Sequence, residues 1–111
     1  MDLPLEYRVI SAPYAHGGMV VNGSEAGLLI HSIKDMPIHT RLDIMVLFPK
    51  GYELANFKVV AEVIRKDLHL EEDWEGYEYG LKFIEIQEED RQKLKQLLSG
   101  QFQVEEISET P

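Results

Sequence analysis

Residues 41–48 read RLDIMVLF, a run in which every second side chain is apolar. Successive side chains of an extended chain point to opposite faces, so this alternation predicts a half-buried β-strand. The sequence Pro-Lys-Gly at 49–51 then ends the run with residues that favour turns. The apolar face of the predicted strand is formed by Leu42, Ile44, Val46 and Phe48.

The same alternation recurs along the chain. It is clear at 57–66 and 77–85, and shorter apolar runs at 7–10, 19–21 and 27–33 predict three more strands. Six strands separated by turn residues predict an all-β fold, a six-stranded antiparallel β-barrel. The alternation also predicts a set of mostly buried side chains, which are Leu42, Ile44, Val46, Phe48, Phe57, Val59, Ala61, Val63, Leu81 and Phe83.

The period changes at 88–98, where the leucines fall at helical spacing. Acidic residues in the first turn and Gly100 just after the last turn favour one C-terminal α-helix, which we expect to lie against the barrel. Residues 1–100 are therefore interpreted as one domain. Residues 101–111 are polar and acidic, and we expect a flexible tail there.

The composition is that of one soluble domain, with 111 residues, 44% of them hydrophobic and 28% charged. There is no cysteine, which excludes disulfides and thiolate chemistry. No apolar run is long enough for membrane insertion, and residues 1–6 lack the basic and apolar regions of a signal peptide. These features predict a cytoplasmic protein.

The charge is unevenly distributed. Residues 1–66 carry seven basic and seven acidic groups, and residues 67–111 carry four basic and thirteen acidic groups. The whole net charge of −9 therefore lies in the last 45 residues. An acidic chain without a basic stripe repels phosphate backbones, so we expect no binding to a nucleic acid polymer.

The most specific motif is NGSEAG at 22–27. Asn-Gly between apolar runs is typical of a type I′ hairpin turn, but that explanation leaves Ser24 and Gly27 without a role. The pattern Asn-x-Ser-x-x-Gly, leading into an apolar strand, resembles the second signature of PilZ domains. The Pro-Lys-Gly turn, the YGLKF strand at 79–83 and the helix that starts near Glu88 agree with that family, and the resemblance covers most of residues 5–98.

PilZ domains are bacterial modules that typically bind the second messenger cyclic-di-GMP. The resemblance implies that Asn22 and Ser24 contact guanine and that Gly27 allows the backbone to approach it. The family's Arg-x-x-x-Arg motif is absent, because Arg8 is the only arginine before Asn22 and has no arginine four residues away. Each missing charge-assisted contact is worth roughly 1.5–3 kcal/mol. We therefore expect weak or absent cyclic-di-GMP binding, with Arg8 as a candidate contact.

Trp74 lies in the acidic segment 71–75, close to Tyr77. A large aromatic ringed by charges is typical of an interface anchor, so Trp74 and Tyr77 are predicted to contact a partner protein. The alternative is that Trp74 packs onto the barrel and that 71–75 is a solvated loop. The chain's four histidines are His16, His31, His39 and His69. No metal-ligand spacing such as i, i+4 links them, and no nucleophile–base pair can be assembled, so neither a metal site nor a catalytic site is expected.

Three functions stay open at this stage. The first is a signalling adaptor of a cyclic-di-GMP pathway that regulates motility, pili or polysaccharide through contact with another protein. The second is a PilZ domain that does bind cyclic-di-GMP, with arginines from a partner, a second subunit or a longer parent chain. The third is an unrelated small β-barrel that binds a cofactor such as a flavin; the first two need no cofactor.

Overall fold

The chain forms a ring of strands followed by a helix. The structure, a computed structural model, describes residues 1–100, and the predicted acidic tail at 101–111 lies outside the described residues. The elements in chain order are β1 (Leu3–Val9), β2 (Ala15–Gly23), β3 (Gly27–Ser32), β4 (Arg41–Lys50), β5 (Glu53–Glu71), β6 (Trp74–Glu85) and α1 (Glu88–Leu98).

The ring is built from two three-stranded meanders, β1–β2–β3 and β4–β5–β6. Two seams join them, since β1 pairs with β4 and β3 pairs with β6, and every pairing is antiparallel. Leu5 lies opposite Val46 in the first seam, and Ile30 lies opposite Tyr79 in the second. The predicted six-stranded antiparallel barrel with one C-terminal helix is confirmed.

The barrel interior holds the core that the alternation predicted. Nine of the ten predicted side chains are buried, from Leu42 with no exposed surface to Val59 at 4%. Phe83 is only partly buried, because it lies one residue beyond the last pair of the β3–β6 seam, Gly27 opposite Lys82. β3 therefore does not cover it.

The prediction of a loop at 71–75 is wrong. β5 continues to Glu71 and β6 begins at Trp74, so a two-residue turn joins them. β4 pairs with β5 only up to Glu62, and β3 pairs with β6 only from Tyr77 onward. The strand ends past those points form a two-stranded projection beyond the ring, and we call residues 69–76 the hairpin extension.

Helix α1 lies against β5 and joins the core of the barrel, as expected. Leu94 and Leu97 are buried in the same apolar cluster as the barrel interior. The Asp90 carboxylate accepts a hydrogen bond of 3.0 Å from the Lys58 backbone N–H, which fixes the first turn on β5. Gly100 has the left-handed φ of 81° and donates its N–H to the Leu97 carbonyl, which is the predicted cap.

Two buried tyrosines fix the end of β3 and the segment that follows it. The Tyr79 hydroxyl donates to the Lys34 carbonyl at 2.6 Å and accepts from the Met36 N–H at 2.8 Å. The Tyr7 hydroxyl lies 2.6 Å from the Ser32 hydroxyl. Burial raises the pKa of both tyrosines. Among residues 1–100, no helix combines the length and the apolar character needed to cross a membrane.

Candidate functional site

The motif residues Asn22, Ser24 and Gly27 all lie in the hairpin between β2 and β3. Asn22 is in the last part of β2, Gly27 opens β3, and the turn is formed by 24–26. Asn-Gly therefore belongs to a strand, and the type I′ turn at these residues is wrong. The structure brings the three predicted base-contacting residues together.

The side chains of Asn22 and Ser24 each accept a hydrogen bond from a nearby backbone N–H. The Ser24 hydroxyl accepts a hydrogen bond of 3.1 Å from the Ala26 N–H, and the Asn22 side-chain oxygen accepts one of 2.8 Å from the Gly23 N–H. The Ser24 N–H donates to the Gly27 carbonyl at 2.9 Å and closes the hairpin. The hairpin alone therefore gives Ser24 a role that sequence reasoning did not find.

Gly27 is required by the seam between β3 and β6. A Cβ atom at this position would lie 2.0 Å from the Leu81 carbonyl oxygen, far inside van der Waals contact. Only glycine lets the two backbones approach this closely. The family resemblance implies that a ligand approaches the backbone at Gly27. In this structure it is the neighbouring strand β6 that approaches it.

The motif lines a shallow groove of about 380 Å³ on the outer surface of the barrel. An irregularity in β2 between Val20 and Asn22 places Asn22 opposite Leu29, whose neighbours on β3 point inward. Residues of β6, including Gly80, form the far wall of the groove. Within the described part of the chain, Lys82 is the only charged residue that lines it.

Arg8 lies away from this groove. It pairs with Ala15 at the start of β2, whereas Asn22 is seven residues further along. At roughly 3.3 Å per residue, the two positions are about 23 Å apart along the strand. Arg8 instead lines a second groove of about 520 Å³, whose other lining residues include Asp43 and Asp90. The structure does not bring Arg8 to the motif.

Sequence reasoning missed one arginine near the motif, because it considered only residues before Asn22. Arg65 lies opposite Gly80 in the register of β5 and β6, and its Nε is 3.8 Å from where a Cβ on Gly80 would be. The Arg65 guanidinium is held by Asp67 at 3.1 Å and by Glu78 at 3.4 Å. It therefore lies beside the groove with its charge already paired.

Trp74 and Tyr77 lie on opposite faces of β6, since they are three positions apart along the strand. The Trp74 ring lies across Gly76, where a Cβ would be 2.7 Å from its Cζ2 atom, and it is partly buried. The Tyr77 ring lies 5.9 Å from the Tyr79 ring and has the Lys66 ammonium over it at 4.9 Å. The structure does not join Trp74 and Tyr77 into one surface.

Two of the histidines meet on the outer face beside Trp74. The His31 and His69 rings are 4.5 Å apart, and the Trp74 ring stacks on His31 at 5.2 Å and contacts His69 at 5.5 Å. The His31 Nε2 atom lies 2.9 Å from a carboxylate oxygen of Glu78. One ligand atom from each of His31, His69 and Glu78 lies within 4.8 Å of the other two. Spacing along one element could not reveal this cluster, because its members lie on three strands.

A comparison with protein families identifies the fold. The model described as PilZ domain matches residues 1–100. The chain belongs to the PilZ domain family. The PilZ assignment makes the premise of the third hypothesis, a barrel unrelated to PilZ domains, wrong.

Two solved structures share this PilZ fold. The Bacillus subtilis inhibitor of motility MotI/DgrA matches with a TM-score of 0.73 at 15% identity, over 100% of this chain and 50% of that chain. The PilZ domain of Escherichia coli YcgR, solved with cyclic-di-GMP, matches with a TM-score of 0.68 at 11% identity, over 98% of this chain and 89% of that chain. This chain thus spans half the length of MotI/DgrA. A search of curated proteins found no match.

Proposed function

We propose that this PilZ domain is a non-catalytic adaptor of a cyclic-di-GMP pathway that regulates motility, pili or polysaccharide. It acts in the cytoplasm through contact with another protein, and by itself it binds cyclic-di-GMP weakly. Family membership supports the pathway. The similar folds of a motility inhibitor and of a PilZ domain solved with cyclic-di-GMP support it as well.

The observation that carries the proposal is the composition of the motif groove. Cyclic-di-GMP has two permanently anionic phosphates, and guanidinium groups pair with phosphate bidentately, which ammonium groups cannot do. The groove offers the polar side chains of Asn22 and Ser24 but a single cation, Lys82. Arg8, on β1, lies beside the far end of β2, and Arg65 is engaged by two carboxylates.

The loss in affinity can be bounded. Two missing charge-assisted contacts of about 1.5–3 kcal/mol each lower the affinity by roughly two to four orders of magnitude. Titration calorimetry of the isolated chain with cyclic-di-GMP should therefore give a dissociation constant weaker than about 1 μM. A sub-micromolar constant would overturn the proposal.

Residual binding tests the motif itself. Asn22→Ala and Ser24→Ala should each abolish it, whereas Asn56→Ala, on β5 and outside the groove, should leave it unchanged. Circular dichroism of each variant checks that the hairpin is retained, because Ser24 also closes the turn. Binding that persists in both motif variants would remove Asn22 and Ser24 from the site.

The second candidate function keeps cyclic-di-GMP as a ligand and takes the arginines from a partner or a second subunit. Two observations favour it: Asn22 is exposed, and the groove opens at the barrel surface. The affinity for the dinucleotide would then rise with protein concentration or on addition of the partner. An affinity that changes neither with protein concentration nor with the partner would exclude this second function, and only the adaptor role would remain.

The contact surface is proposed to include Trp74 and the tip of the hairpin extension. Glu71, Glu72, Asp73 and Glu75 are exposed around this tip, and a cluster of acids steers a basic partner at low salt. Trp74→Ala should abolish capture of a partner from the host's lysate, and capture should weaken as salt is added. Tyr52→Ala removes an aromatic side chain that is fully exposed in the turn before β5, and it should have no effect. Capture that survives Trp74→Ala excludes this surface.

A further inference from the structure

We propose that His31, His69 and Glu78 bind one divalent transition metal ion of the zinc class on the outer face of the barrel. The three residues come from β3, β5 and β6, and one ligand atom from each lies within 4.8 Å of the other two. This site is separate from the motif groove, because none of its residues lines that groove.

Strand register assembles the cluster. His31 lies directly opposite Glu78 in the seam between β3 and β6. On the other side of β6, Glu78 lies opposite Asp67 of β5, and His69 follows two residues later on the same face. The twist of the sheet brings the His69 ring to 4.5 Å from the His31 ring.

The donor set selects the class of ion. Two imidazole nitrogens and one carboxylate oxygen suit zinc and its neighbours, whereas calcium and magnesium require mostly oxygen ligands. Metal–ligand bonds of about 2.1 Å in a tetrahedral site place the ligand atoms about 3.4 Å apart. Side-chain rotation must therefore draw the ligand atoms together by little more than an ångström. Three protein ligands leave one position open to water or to a ligand from another molecule.

Neighbouring residues orient the ligands. One carboxylate oxygen of Glu78 faces His31 at 2.9 Å, and the other lies 3.4 Å from the Arg65 guanidinium. Arg65 is fixed in turn by Asp67 at 3.1 Å, so it holds the carboxylate while the first oxygen turns to a metal. Partners of this kind raise metal affinity by orienting the ligating groups.

The site is also partly shielded from water. The exposed fractions of the three side chains are 21% for His31, 29% for His69 and 24% for Glu78. The Trp74 ring covers one side, because it contacts both imidazoles and lies across Gly76.

A simple ion pair between His31 and Glu78 is the competing explanation, and His69 distinguishes the two. The pair needs only β3 and β6, and His69 has its own partner in Glu71 at 2.9 Å. A metal would need His69 as well, and it would connect the hairpin extension to β3. Loss of His69 should therefore weaken metal binding without affecting the pair.

The direct experiment is calorimetric titration of the full chain with zinc chloride after treatment with a chelator. We expect one ion per chain and a melting temperature that rises with zinc concentration. His69→Gln and His31→Gln should each weaken binding by at least about tenfold. His39→Asn is the matched control, because His39 also pairs with a glutamate, Glu62 at 3.1 Å, and its φ of 78° suits asparagine.

Wild-type protein gives a second readout that does not depend on the folding of a variant. Zinc should shift the side-chain nitrogen resonances of His31 and His69 and leave those of His16 and His39 in place. Copper(II) at one equivalent should quench the fluorescence of Trp74, the only tryptophan in the chain. Absence of zinc binding at millimolar concentration, equal binding by His69→Gln, or shifts at the other histidines would each overturn the proposal.

Discussion

Replacement of Gly27 by alanine tests whether the motif glycine is required for the stability of the fold when no ligand is present. The new Cβ would lie 2.0 Å from the Leu81 carbonyl oxygen, so β3 and β6 must move apart by about 1 Å. Phe83 N–H donates to Ala26 O across this seam, and Ser24 N–H donates to Gly27 O within the β2–β3 hairpin, both at 2.9 Å. A shift of Gly27 by that amount breaks the first bond by lengthening it and distorts the second by moving its acceptor, at a net cost of about 0.5–1.5 kcal/mol each.

Gly27→Ala should therefore lower the free energy of unfolding by about 1–3 kcal/mol in the absence of any ligand. For a domain of this size the melting temperature should fall by about 5–20 °C. Urea denaturation monitored by circular dichroism measures the change in the free energy of unfolding.

Gly17→Ala is the matched control, because Gly17 lies in β2 and a Cβ there meets no atom within 4 Å. It should be neutral or stabilise the protein by up to about 1 kcal/mol, since alanine restricts the unfolded chain. Equal denaturation midpoints for Gly27→Ala and the wild type would refute the steric argument. Any loss of cyclic-di-GMP binding in Gly27→Ala would then report a ligand contact.

Three further predictions follow from the buried tyrosines and one ion pair. Tyr79→Phe leaves two backbone partners in the segment after β3 unpaired and should lower the free energy of unfolding by about 1–3 kcal/mol, whereas Tyr52→Phe, on an exposed ring, should not. Burial raises the pKa of Tyr7 and Tyr79 above 10.0, so their contribution to stability is complete below pH 10.0 and is lost as pH rises through the folded-state values. Tyr7→Phe should flatten that alkaline decline in the urea midpoint. The hydrogen bond from Lys66 lowers the pKa of Asp35 below 3.8, so this pair stabilises above pH 3.8 and fails as pH falls through the folded-state value. Asp35→Asn should make the acid decline shallower, and an unchanged decline would contradict the pairing.

Alternating sequence was sufficient to predict the strands and the core. It located all six strands, because inward-facing side chains such as Val46 and Ala61 are fully buried in the closed ring. It underestimated β5, which continues to Glu71. The alternation persists there through Leu68 and Leu70, but both side chains are exposed where β5 and β6 project beyond the ring. The many charged residues around them are typical of a loop, so the sequence did not predict that the strand continues.

The sites were less predictable, because contacts across strands depend on register. The sequence motif located Asn22 and Ser24 correctly in one hairpin, since those residues are close along the chain. It could not show that Arg8, on β1, pairs with the opposite end of β2, or that Arg65 lies beside the groove. The histidine cluster was hidden for the same reason, since His31 and His69 are 38 positions apart along the chain.

The two seams of the barrel also impose an order on folding. Each meander can form locally, but the seams join residues as distant as Leu5 and Val46 or Ile30 and Tyr79. Pairings of such high contact order form slowly, on a scale of about milliseconds to seconds. During synthesis at about 5–20 residues per second, β3 is completed roughly 3–10 s before β6. For that interval β1 and β3 are open edges, so the nascent first half depends on rapid arrival of the second half or on chaperone cover.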